Sequence, residues 1–85
     1  MNKLEDDIRR VFREVWAFEK GSAAPELTND TVLLETGLDS LGFAIFVSSL
    51  EEALGYDPFT LSEDVFYPQT FADFVAFYER YRPKA

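Results

Sequence analysis

Eighty-five residues carry 16 acidic and 8 basic side chains, a net charge of −8, with no cysteine and no histidine. That balance argues against nucleic acid or anionic lipid as partners, since both reward Lys and Arg, and it removes disulfides and thiolate or imidazole metal sites. A hydrophobic content of 47% with nine Phe, four Tyr and one Trp suits a single packed domain over 1–85, with no room for a second core.

No apolar run is long enough to span a bilayer, and Met1–Asp7 lacks the apolar centre of a signal peptide. The expectation is a cytoplasmic protein without membrane insertion. No Asp-x-Asp-x-Asp-Gly loop is present, so no metal site is assigned.

In chain order, residues 3–19 read as the first helix. Leu4, Ile8, Val11, Val15 and Phe18 recur at three- and four-residue spacing, Phe12 widens the stripe, and Trp16 falls at its edge. Asn2 with Glu5 has the form of a capping box, Asp6 and Asp7 suit the positive helix end, and Lys20-Gly21 make a stop. Residues 21–38 form a long connection, a length often functional in a small domain. Leu27, Val32, Leu33 and Leu34 are too apolar for a free linker, so some should anchor in the core, and Asn29-Asp30 should make a turn.

The second helix spans 40–54, with Asp39 as N-cap and Ser40 at the first helical position. At 100° per residue, Phe43, Val47, Leu50 and Leu54 form the core face and Phe46 its flank. Leu41, Ile45, Ser48 and Glu52 fall opposite, with Glu51 nearer the edge, so Leu41 and Ile45 are candidate exposed contact residues. Gly42 costs about 1 kcal/mol relative to Ala inside a helix. Either a group attached nearby approaches closely there or the helix starts irregularly.

Pro58 keeps Tyr56–Phe59 extended or turning, and Thr60–Glu63 reads as a capping box for a short third helix through Val65, Phe66 and Tyr67. Pro68 ends it. Thr70 and Asp73 open a final helix to about Tyr81, with the stripe Phe71, Phe74, Val75, Tyr78 and Tyr81; Arg80 and Arg82 suit its negative end and Pro83 closes it. No strand alternation or repeat is visible. The fold is all-α, a four-helix bundle of three main helices and one short one.

Gly37-Leu38-Asp39-Ser40-Leu41 matches the Gly-x-Asp-Ser-Leu attachment motif of the acyl and peptidyl carrier proteins, and nearly the whole chain resembles that family in element order. Leu50–Gly55 resembles the family's end of the second helix, Asp30–Leu34 its segment before the motif, and Tyr67–Thr70 the Pro-Thr junction of modular carriers. The resemblance implies an acyl-carrier-like, stand-alone monomer bearing 4′-phosphopantetheine on Ser40. A phosphopantetheinyl transferase would attach the group from coenzyme A, and Asp39 and Leu41 would belong to the attachment site. Partners would be acyl- or aminoacyl-activating and acyl-transferring enzymes, the cargo held as a thioester, and the protein itself would not be an enzyme.

Leu41, Ile45, Ser48, Glu51 and Glu52 would form the docking face. Phe46, Phe66 and Tyr67 would either line a shelter for an acyl chain or simply pack. The first half of the second helix is less acidic than in fatty-acid carriers. That favours a specialised pathway for secondary metabolites, lipids or cell envelope over housekeeping fatty-acid synthesis. Thr36 departs from the family, which often has an apolar residue there. A D-alanyl or peptidyl carrier is the alternative within the family. Outside it, the rival is a helical interaction module in which Asp39 and Ser40 are ordinary capping residues. With neither His nor Cys and no glycine-rich phosphate loop, no catalytic residue is assigned.

Overall fold

A computed structural model describes residues 3–62 and 69–83. Helix α1 runs Lys3–Lys20. A 3₁₀ turn follows at Leu33–Glu35, then α2 (Ser40–Leu54), α3 (Pro58–Leu61) and α4 (Phe71–Arg80). The described residues form an all-helical arrangement, and α1 packs chiefly on α2 and secondarily on α4.

The stripe of α1 is buried at Leu4, Ile8, Val11, Phe12, Val15 and Trp16. Two assignments change. Trp16 belongs to the core rather than to its edge, and Phe18 is 81% exposed instead of closing the stripe. The indole is held by Phe12 at 5.8 Å and donates through Nε1 to Ser22 Oγ at 3.3 Å. Phe18 lies one turn further on, where the stripe has outrun its cover.

Helix α2 also sits in a different rotation from the one expected. Its buried residues are Gly42, Phe46 and Leu50, spaced one turn apart, while Phe43, Val47 and Leu54 are half-buried. Phe46 is therefore the centre of the core face and not its flank. It stacks on Phe74 at 5.2 Å and meets Phe12 edge-on at 5.4 Å, so one ring ties α2 to both α1 and α4. Ile45, expected to be exposed, is half-buried and packs against the core.

The long connection is pinned from several sides. Leu27, Leu33 and Leu38 are buried, whereas Leu34 is exposed. The expected turn at Asn29-Asp30 forms, closed by Thr31 N–H to the Thr28 carbonyl at 3.1 Å. Val32 then makes an antiparallel bridge with Thr70. Phe71 N–H donates to Thr31 O (2.7 Å) and Leu33 N–H to Gln69 O (3.1 Å), so the segment before Ser40 is stitched to the start of α4.

Helix α3 starts earlier than the sequence suggests. Asp57 caps it through Oδ1 to Phe59 N–H at 2.9 Å, and Pro58 is its first residue, a position where the missing N–H and fixed φ do no harm. Thr60 is consequently inside the helix and donates to the Asp57 carbonyl, and the expected capping box with Glu63 reaches outside the described residues. Glu63, Val65, Phe66, Tyr67 and Pro68 lie outside the described residues, as does Asn2. The cap of α4 is as expected: Thr70 and Asp73 exchange side-chain and backbone hydrogen bonds at 3.1 and 3.3 Å. Phe77 joins Phe71, Phe74 and Tyr78 on its buried face, while Val75 and Tyr81 are half-buried.

Candidate functional site

Four consecutive residues place Ser40. Thr36 closes the 3₁₀ turn by donating its hydroxyl to the Leu33 carbonyl at 2.6 Å, and the same oxygen accepts Leu38 N–H at 3.4 Å. Gly37 follows with φ +112°, a conformation that side chains resist, and a Cβ there would stand 3.2 Å from the Trp16 ring. Leu38 is buried and anchors the segment in the core. Asp39 is extended, and its Oδ1 accepts Gly42 N–H at 2.8 Å, which makes it the N-cap of α2.

Ser40 is thus exposed on the first turn of a fifteen-residue helix, between an exposed Asp39 and a Leu41 that is 67% exposed. The backbone N–H groups of a first helical turn lack intrahelical partners and carry partial positive charge, which favours an anion on that hydroxyl. No Lys or Arg occurs between Ser40 and Leu54, so α2 offers no side-chain cation. Asp39 spends one carboxylate oxygen on the cap. The site therefore presents a solvent-facing hydroxyl at the start of a helix, open to modification by another protein.

Gly42 has a definite reason. A Cβ there would come within 2.7 Å of Leu38 Cδ1 and 3.1 Å of its Cγ. The glycine is explained by neither expected alternative: what approaches is the Leu38 side chain, the buried anchor of the motif itself. Thr36 is likewise explained: its hydroxyl holds the turn.

Among the expected docking residues, Ser48, Glu51 and Glu52 are exposed together with Leu41, and Ile45 lies half-buried beside them. Phe46 is fully buried and in ring contact with Phe12, Phe43 and Phe74. Its expected companions Phe66 and Tyr67 are outside the described residues. Sequence reasoning missed Leu38 and Thr36 as the supports of the site. An apolar residue just before an N-cap, with another at the fourth helical position (here Leu38 and Phe43), is the staple pattern that could have found the first.

The family model described as "Phosphopantetheine attachment site" matches residues 7–77. The chain belongs to the phosphopantetheine-attachment family. The match spans α1 through most of α4, so it covers the supports of Ser40 as well as the motif. No curated protein and no solved structure matches the chain. The prosthetic group of this family is 4′-phosphopantetheine, and its domains generally carry intermediates rather than catalyse. They work with a phosphopantetheinyl transferase and acyl-handling enzymes. Among the described residues, no helix is long and apolar enough to cross a membrane.

Proposed function

We propose that Ser40 is the attachment point and that the protein carries acyl or aminoacyl intermediates as a monomeric, cytoplasmic, single-domain carrier in a specialised biosynthetic pathway. The observation that supports this reading is the exposed Ser40 hydroxyl on the first turn of α2, held there by a capped and anchored motif inside a family match. In the loading step, Ser40 Oγ attacks a phosphorus of the coenzyme A pyrophosphate. An O–P bond forms, the bond to adenosine 3′,5′-bisphosphate breaks, and the hydroxyl proton goes to a base on the transferase. When bound, the group supplies a terminal thiol for thioester formation.

The residues of the chain position and present. Leu38, Thr36 and Asp39 fix the first turn of α2, and Leu41, Ile45, Ser48, Glu51 and Glu52 form the face that partners meet. Leu41 at 67% exposure gives that face an apolar first half, in keeping with specialised carriers rather than housekeeping fatty-acid synthesis.

Intact-protein mass spectrometry after incubation with coenzyme A and a broad-specificity phosphopantetheinyl transferase should show a gain of one phosphopantetheinyl mass. The Ser40→Ala variant should show none. A wild type that gains nothing, and behaves like the variant, overturns the reading.

A further inference from the structure

Beyond the α2 face, the molecule exposes a second apolar feature that the attachment chemistry leaves unused. The stripe of α1 continues to Phe18, which is 81% exposed, and a cleft of about 290 Å³ opens between α1 and α2 with Val11, Val15, Phe18 and Ile45 on its walls. Glu14 and Ser49 complete the lining, and no basic side chain takes part in it among the described residues. The cleft borders the end of the bundle where Ser40 is presented, because Trp16, two residues before Phe18, packs against the Gly37 backbone. Ile45 connects it to Leu41 one turn earlier on α2.

We infer that this cleft is a second docking point for the phosphopantetheinyl transferase that modifies Ser40, taking one apolar side chain flanked by a lysine or arginine that reaches Glu14. The inference rests on the carrier reading and extends the partner surface from α2 onto α1. Charge decides between occupants. A second copy brings another −8 and the same acidic rim, and an anionic lipid surface meets the same repulsion, whereas a basic protein surface is attracted to both Glu14 and the chain as a whole. An enzyme that reaches Ser40 must also cover that end of the bundle, where Phe18 and Leu41 are large exposed apolar side chains. An exposed aromatic next to a partly formed apolar cleft is the kind of anchor that dominates interfaces once water is excluded.

The test compares wild type, Phe18→Ser, Glu14→Lys and the distant control Leu61→Ser as substrates of a purified phosphopantetheinyl transferase with coenzyme A, with thermal midpoints alongside. Leu61 is 51% exposed on α3 and is not among the residues that line the cleft. Phe18→Ser and Glu14→Lys should each raise KM for the carrier about tenfold, equivalent to about 1.4 kcal/mol of binding, with kcat and midpoint nearly unchanged. Leu61→Ser should match wild type. Equal KM for all four proteins overturns the inference while leaving the carrier reading intact. A KM rise shared by Leu61→Ser, or explained by a fallen midpoint, also overturns it. A wild-type dimer by light scattering that Phe18→Ser dissolves would make a second copy the occupant and refute the transferase assignment. A wild type that is never modified fails the carrier reading itself, and this inference falls with it.

Discussion

Leu38 occupies the space that a side chain on Gly42 would need, and this contact sets the height of Ser40 above the core. Gly42→Ala should improve helix propensity by about 1 kcal/mol, yet it drives a methyl to 2.7 Å from a buried leucine with little freedom to turn aside. Overpacking of that kind costs about 1–3 kcal/mol, so the net expectation is a loss of up to about 2 kcal/mol, checked by urea denaturation at constant m-value. A stabilised Gly42→Ala would mean that Leu38 moves freely and is no anchor. At this scale the sequence was informative wherever chemistry is local. Asp39 and Ser40 announce a cap and a hydroxyl by residue type alone. The reason for Gly42 is not legible because its partner, four residues earlier, lies outside the helix on the far side of the cap, where helical periodicity does not place it.

Helices α1 and α2 differ in how plainly they state their orientation. In α1, charged residues separate the apolar positions and leave a single stripe. In α2, Leu41, Phe43, Ala44, Ile45, Phe46 and Val47 place apolar groups around most of the circumference, so periodicity could not choose between faces centred on Phe43–Val47 and on Phe46–Leu50. Tertiary packing made the choice, through the Phe74 and Phe12 rings. In α3, Pro58 looks like a helix breaker in the sequence yet stands at the first helical position, where proline is favoured.

The long connection owes its order to a residue that no local pattern singled out. Arg9 donates to the Leu27 carbonyl, pairs with Glu5 at 3.3 Å, and lays its guanidinium 4.5 Å over the Phe71 ring. It therefore joins α1, the connection and α4. Arg9→Met keeps most of the stem but loses the charged hydrogen bond and the cation–π contact. The expected cost is about 2 kcal/mol by thermal or urea unfolding, and Arg9→Lys should recover only part of it because a point charge cannot serve both partners. A neutral Arg9→Met would show that its leucines and its backbone bonds to the start of α4 hold the connection without Arg9.

The molecule as a whole lacks any histidine or cysteine, so stability should vary little between about pH 6 and 9 for want of side chains that ordinarily titrate there. The alkaline side is different. Tyr78 is completely buried, with no hydrogen-bond partner for its hydroxyl among the described residues, and burial first, then the nearby Asp57, Tyr56 and Glu51, hold it well above the ordinary tyrosine range. Tyr56 is also raised, chiefly by burial, with Arg82 opposing and Glu79 adding to the shift. Its hydroxyl donates to the Tyr78 carbonyl at 2.7 Å, capping an end of α4. Because both folded values lie above the unfolded one, the associated stability is fully present below about pH 10 and is lost as pH rises through the folded values. Urea midpoints should accordingly be flat to about pH 9.5 and fall above pH 10, and Tyr78→Phe should lessen the fall. A midpoint that stays level to pH 11 would refute this contribution of the buried tyrosines.

The bridge between Val32 and Thr70 closes the chain into a non-covalent ring. Everything from the 3₁₀ turn through α2 and α3 is strung between two places already fastened to each other by Leu33 N–H to Gln69 and Phe71 N–H to Thr31. If Ser40 bears the arm as proposed, a load applied there by an enzyme drawing on the cargo would be shared by both ends of that ring and passed to the base of α4. The arm would swing from a buckled strap rather than from the tip of a loose loop, so the reach of the cargo would be set by the arm and by partner position, with little contributed by travel of the post on which it stands.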